Sequence, residues 1–509
     1  MNGVDPDFLS MLDGDGVADP SHGLMAAPGG SLTDRRTGQL ATIALAAAGL
    51  MIWSAIGGRD PSLAAMASKP QVVSVNLFNP AGSALASLAA PVVGPIVDTV
   101  YVNGPPPPTR AVTVPGTNPG PDPAPTSPPV RPPGPKPKAR SKINHIAVVV
   151  LPSTDTRSDW PAADSSAAPH MASLRSQGTL LTNYRSIGAS DLSNRIALIS
   201  GQEPNAETEK GCPRFRSFAT PFTTDSGGNG LVSGDGCYYP YNEKSNQKWT
   251  VADGLSVQGG RTGPAWKAYV GDADKGEGGA AGASGCRRPT VDGPDIATTP
   301  TRDDGFVTRL DPFVYFTSLQ ETLGCDSSAG AESNDVPLTK LAADIDTDAK
   351  AAAGNGRSQL PTYSMIIPTG CDAGLVSDCG TDGEGTPLPT GLAAVDAFLK
   401  REVQPLIDSP TFKKDGLVLI TYDRASANTP ADAAEPNSGL VGALLVGPHV
   451  KAGAESSTAY NHYSTLASVQ DLLGLWRIGR ARTGITGKPD LNTFGGDVWA
   501  TGKDPFAKG

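Results

Sequence analysis

Apolar residues in the C-terminal two-thirds of the chain come in short, nearly continuous runs rather than in strict alternation. His145–Leu151 (HIAVVVL), Ala265–Val270 (AWKAYV), Tyr363–Ile367 (YSMII), Leu417–Tyr422 (LVLITY) and Val441–Val446 (VGALLV) are the clearest. Runs of this length predict strands buried on both faces, as in a parallel sheet. Helical patterns alternate with them over Pro169–Ser176, Leu192–Ser200, Leu338–Lys350, Gly391–Ile407 and Ser464–Leu475. That alternation predicts an α/β fold, a doubly wound and mostly parallel sheet. Ligands of such sheets meet the C-terminal ends of the strands. Those ends are Pro152-Ser153, Thr369 and Asp423-Arg424.

The pattern is different before residue 143. Residues 1–38 are Gly-rich and read as a disordered cytoplasmic tail. Residues 39–58 (QLATIALAAAGLMIWSAIGG) are apolar or small throughout, and a run of roughly 20 such residues spans a bilayer as a helix. Arg35 and Arg36 precede it, Trp53 lies near its far end, and Arg59 and Lys69 follow. The segment predicts one signal-anchor helix with everything after it outside. Ala84 to Val100, within a juxtamembrane segment 59–103, is moderately apolar but carries Pro91 and Pro95; read as a second span, it would return the rest to the cytoplasm. Residues 104–142 are a Pro-rich linker, expected to be extended at about 3.1 Å per residue. The linker's basic end (Arg131, Lys136, Lys138, Arg140, Lys142) either touches anionic cell-wall polymer or simply solubilises a tether. Residues 143–509 form the globular domain.

Composition narrows the function. A formal net charge of −10 argues against a nucleic-acid partner. The six cysteines are Cys212, Cys237, Cys286, Cys325, Cys371 and Cys379, with no CxxC pair and only five histidines in the chain. A structural zinc site is therefore not expected, and disulfides in an oxidising compartment are. Of the fifteen possible pairings, sequence neighbours suggest Cys212–Cys237, Cys286–Cys325 and Cys371–Cys379.

Candidate chemistry centres on Leu180–Asn205 (LLTNYRSIGASDLSNRIALISGQEPN). An apolar strand end leads through a turn of small residues to Asp191 and a helix. Such a turn presents side chains and free backbone N–H groups where an anion can sit.

Four segments stand out: INHIAVVVLPSTD, the Leu180–Asn205 stretch, DGLVLITYDRA, and VGALLVGPHVKAGAESSTAYNHYSTLASVQDLLGL, with DPFVYFTSL between them. Together they resemble the phosphoesterase family that includes bacterial acid phosphatases and phospholipases C, in the alkaline phosphatase superfamily. The resemblance spans residues 143–480 and implies that family's fold. It also implies a site in which metal ions polarise a phosphoryl group and a Ser or Thr oxygen attacks it. Position by position the chain departs from this pattern. Pro152-Ser153 stand where the family has Glu-Asn, and Asp191 stands at the nucleophile position. Leu310-Asp311 replace His-Asn, and CDAGLVSDC contains no histidine. Asp423-Arg424 replace an Asp-Glu or Asp-Asp pair, while Asn194, Asp423 and His462 remain.

Such a set would hold at most one divalent metal ion, weakly, on Asp423 and His462. Asp191 reads either as a salvaged nucleophile or metal ligand, or as a helix N-cap. Arg424 is an anion-binding candidate or an ion-pair partner of Asp191 or Asp423. Asn194 contacts a phosphate oxygen or ties the loop, and His462 is a vestigial ligand or a hydrogen-bonded structural histidine. Three functions follow: a catalytically degenerate binding or assembly module, an active phosphoric ester hydrolase with a rearranged site, or a cell-envelope structural protein. The expected partners are the membrane through residues 39–58 and anionic cell-wall polymer or an envelope protein.

Overall fold

The computed structural model describes residues 71–78, 84–92, 138, 141–154, 160–219, 223–224, 230–240, 250–260, 263–275, 287–295, 297–320, 323, 333–426, 439–484 and 491–507. The chain divides into two units, residues 1–122 and 123–509. In the first, strands Gln71–Phe78 and Ala84–Val92 pair antiparallel. The segment weighed as a second membrane span is therefore extended over Ala84–Val92, not helical. The expected anchor at 39–58 lies outside the described residues, among which no helix is long and apolar enough to cross a membrane.

The second unit is built on an eight-stranded sheet. Its strands are β1 (His145–Leu151), β2 (Gly178–Leu181), β3 (Trp266–Val270), β4 (Asp335–Pro337), β5 (Tyr363–Ile367), β6 (Gly416–Tyr422), β7 (Ala443–Val446) and β8 (Ala454–Ser456). They lie in the order β8-β2-β7-β6-β1-β5-β3-β4. Only β7 runs against the others, pairing antiparallel with both β6 and β2. Every position of β1, β5 and β6 is buried, which is why their sequences show no alternation. All five strands expected from apolar runs are present. The edge strands β4 and β8 are short and half-polar and give no such signal. Gly178 opens β2 because a Cβ there would lie 2.0 Å from the Leu445 carbonyl oxygen of β7.

Helices α1 (Pro169–Gln177), α2 (Asp191–Ser200), α3 (Val251–Gln258), α4 (Lys340–Ala352), α5 (Gly391–Phe398) and α6 (His462–Leu473) accompany the strands. The helix expected over Gly391–Ile407 is interrupted after α5 by a π-helical turn at Leu399–Val403. Pro405 follows within the next helical turn and has no N–H to continue a regular ladder. α2 is buried from Leu192 to Ser200, and α6 along its whole length, where the two pack together. Gly201 ends α2 in the left-handed region (φ 70°), and a Cβ there would meet the Ile478 carbonyl oxygen at 2.9 Å.

Disulfides join Cys212 to Cys237 and Cys371 to Cys379, with Cα atoms 6.2 and 5.8 Å apart. Both are the expected neighbour pairs. Cys286 and Cys325 lie outside the described residues.

Candidate functional site

The turn before α2 is closed by its own side chains. Ser190, not Asp191, is the N-cap: its backbone is extended and its Oγ accepts the Ser193 N–H at 3.1 Å. Asp191 is the first helical residue and accepts the Leu192 N–H at 2.9 Å. Asn194 is fully buried and uses its whole amide on the loop. Its Oδ1 accepts from Ile187 and Gly188 N–H at 2.6 and 3.1 Å, and its Nδ2 donates to the Gly188 and Ser190 carbonyls at 2.7 Å each. Glu209 accepts the Ala189 N–H at 2.9 Å. A Cβ on Gly188 would fall 2.2 Å from the other Glu209 oxygen, so a larger residue there would have to displace that carboxylate from the turn. The expectation of free N–H groups awaiting an anion is overturned for these five amides. Internal acceptors already occupy them.

Asp423, just past β6, is also fully buried. Its Oδ1 accepts from the Ser153 and Arg424 N–H groups at 3.0 and 2.8 Å. Its Oδ2 accepts from Arg195 Nε and lies 3.0 Å from Arg195 Nη2. Arg195 is itself completely buried in α2 and donates onward to the Leu310 and Val150 carbonyls at 2.9 and 3.0 Å. Burial pushes the Asp423 carboxyl upward, and Arg195 opposes that shift. Both oxygens accept N–H donors, an arrangement that favours the ionised form against the effect of burial. Arg195 is the functional residue that sequence reasoning missed. The available signal was its place on the buried face of α2, three residues after Leu192 and four before Ile199.

His462 opens α6 and is buried. Its Nε2 donates to the Asp423 main-chain carbonyl at 2.7 Å, and its Nδ1 lies 2.9 Å from the Tyr184 hydroxyl. Thr465 completes the chain of bonds at 2.7 Å from that hydroxyl. Burial lowers the His462 pKa to about 4, so the ring is neutral at physiological pH. The sheet end thus brings Asp423 and His462 together, but through the aspartate's backbone.

Asp191 pairs with Arg309, whose Nε lies 2.7 Å from Oδ2. Arg309 makes the side-chain ion pair with Asp191 and Arg195 the one with Asp423. Arg424 is half-buried at the same strand end, its N–H on Asp423 and its Nη1 3.3 Å from the Ala425 carbonyl. Lys138, from the basic end of the linker, is docked 2.6 Å from Asp471 and over the Phe506 ring.

The donors do not fit the divalent metal ions that the family's chemistry requires. Asp423 already accepts from a guanidinium and two amides, and both His462 nitrogens are bonded within the protein. Among the described residues no group of three or more acidic, imidazole or thiol side chains is arranged to hold a metal.

The family model "Phosphoesterase family" matches residues 162–476. No curated protein matches the chain. Several solved structures are similar. An alkaline phosphatase superfamily protein from Vibrio parahaemolyticus is 12% identical, with 70% of this chain and 71% of that one covered at a TM-score of 0.37. The lipoteichoic acid synthase LtaP from Listeria monocytogenes is 11% identical over 67% of this chain and 75% of its own (TM-score 0.35). The sulfatase PsFucS1 from Pseudoalteromonas sp. is 13% identical over 68% and 73% (TM-score 0.36).

Proposed function

We propose that this chain, which belongs to the Phosphoesterase family, works as a binding or assembly module and not as a metal-dependent phosphoric ester hydrolase. The observation that carries this reading is Arg195. A buried guanidinium lies against the one surviving carboxylate of the strand-end site, where phosphoryl transfer would call for a divalent cation. Asp191 at the nucleophile position is an ionic partner of Arg309 and lacks a hydroxyl. Residues 39–58 anchor the chain as a single-pass span, and the family domain, 143–509, lies outside, where its disulfides persist. An anionic cell-wall polymer or an envelope protein is its partner, with half-buried Arg424 the candidate contact for an anion.

Metal analysis of the purified full chain, combined with phosphomonoester and phosphodiester assays, tests the reading. The expected result is no stoichiometric divalent metal and no turnover. Metal-dependent turnover lost in Asp423→Ala would overturn it. Binding of anionic glycopolymer that weakens in Arg424→Ala supports the anion contact. Protease protection of residues 143–509 in membrane vesicles of known orientation tests the topology, and a cytoplasmic domain would refute the extracytoplasmic placement.

A further inference from the structure

A second pair of buried acids lies outside the strand-end site. Asp311 caps the turn Pro312–Tyr315, its Oδ1 accepting the Phe313 N–H at 3.1 Å. Asp335 sits on edge strand β4, whose backbone is tied by Ser333 Oγ: the hydroxyl donates to the Asp335 carbonyl at 2.7 Å and accepts its N–H at 3.1 Å. Both side chains are fully buried. Among the described residues, as two carboxylates they would leave Asp311 Oδ2 and both Asp335 oxygens without a donor, a costly arrangement away from water. The two acids interact directly, so one proton held between them would supply the missing donor. Two cations or hydroxyls face the pair from neighbouring elements. Arg195 of α2 attracts Asp311, but its N–H groups go to Asp423, Leu310 and Val150. The buried Tyr315 hydroxyl feels Asp311 along with Asp295, Asp191 and Arg309.

We propose that Asp311 and Asp335 share one proton at neutral pH and form a pH-sensitive clasp between the Leu310–Tyr315 turn and the sheet edge. The turn follows Arg309, so the clasp supports the Asp191–Arg309 pair. Burial pushes Asp311 up to about 6 and, with Asp311 beside it, Asp335 well above the usual carboxylate range. Both groups bind protons more tightly folded than unfolded. The stability they contribute is therefore complete below the unfolded value, near pH 4, and declines as pH rises through the folded values. Well above pH 6.5 an unfolded imidazole is neutral, as His462 already is in the fold, so His462 no longer opposes the second proton of the pair. The proposal does not depend on whether the strand-end site binds or turns over a ligand.

The test is denaturant unfolding of the full chain between pH 6.5 and 9, beside Asp335→Asn and Asp311→Asn. The wild type should lose stability by up to about tenfold in the folding equilibrium per pH unit until the shared proton has left. Each variant should show a flatter profile, because an amide donates where the shared proton did. Parallel profiles in all three proteins would overturn the clasp. If both variants fail to fold, infrared spectra of the wild type decide. A protonated carboxylic acid band at pH 7 that disappears on raising the pH supports the pair, and no such band at pH 7 refutes it.

Discussion

Asp423 and the Asp311–Asp335 pair are equally removed from water, and the fold treats them in opposite ways. Asp423 receives a guanidinium and two backbone N–H groups, so its charge is matched within bonding distance. Among the described residues, Asp311 and Asp335 receive one backbone N–H between their side chains, and a shared proton does the rest. Arg195 stands near both but spends its donors on Asp423 and two carbonyls. The difference teaches that burial alone does not decide the state of an acid. The number of donors aimed at it does. One arginine on the neighbouring helix can thus meet the charge of a buried acid at this strand end, while a second acidic pair nearby is met by a proton and needs no cation.

The largest effect should come from breaking the matched site. Arg195→Met leaves Asp423 buried without its cation and should destabilise by about 3–5 kcal/mol, the range for removing one partner of a buried pair. Urea midpoints measure it, and the double change Arg195→Met with Asp423→Leu should recover part of the loss. A single-variant cost below about 1 kcal/mol would show that the pair is not what holds this strand end. Next comes Asn194→Ala, which strands the Ile187 and Gly188 N–H groups inside the turn. Its cost should be about 1–3 kcal/mol, and Asn194→Asp should not rescue it, because a carboxylate cannot donate to the Gly188 and Ser190 carbonyls.

The histidine sharpens the comparison by titrating in the other direction. His462 is held neutral down to about pH 4 in the fold, whereas an unfolded imidazole gains its proton near 6.5. The unfolded state therefore binds the extra proton across that window, and stability rises with pH from about 4 to 6.5. Asp311 acts in the opposite sense over much of the same range. With Asp335 added, the acid pair outweighs His462 by one proton, so the wild-type profile should already fall there, less steeply than the pair alone would make it. His462→Gln removes the opposing contribution, so the variant should lose stability more steeply from about pH 4 upward. An unchanged profile would mean that His462 is protonated in the folded chain.

The sheet was legible from sequence where burial on both faces produced uninterrupted apolar runs, as in β1, β5 and β6. It was not legible at β4 and β8, whose three-residue pairing leaves half the positions polar. Nor did the runs reveal direction, which is why β7 was not expected to be antiparallel. The site was half legible. The segments bearing Asp191, Asn194, Asp423 and His462 could be placed from their similarity to a family, and the structure brings Asp423 and His462 together. Their partners could not be read. The charge that meets Asp191 comes from Arg309, which is 118 positions away in sequence. Asp335, on edge strand β4, meets Asp311 from a separate turn. Neither contact has a periodicity. Arg195 alone left a mark, as a charge on a helix face otherwise buried.

The smallest effect is expected from Asp191→Ser, which returns a hydroxyl to the nucleophile position. Asp191 keeps 15% of its side-chain surface exposed and its partner Arg309 keeps 27%, so loss of the ion pair should cost only about 0.5–1 kcal/mol after solvent screening. The serine would still cap nothing, because Ser190 already accepts the Ser193 N–H. It would also face Arg309 without an acid in between. Turnover of phosphomonoesters and phosphodiesters should remain absent, because an attacking oxygen accelerates nothing unless the phosphoryl charge is met, and Arg195 is committed to Asp423. Assays of Asp191→Ser with and without added divalent metal check this directly. Turnover that appears with metal would mean that one substitution separates this site from catalysis, and that Arg195 can yield Asp423 to an ion.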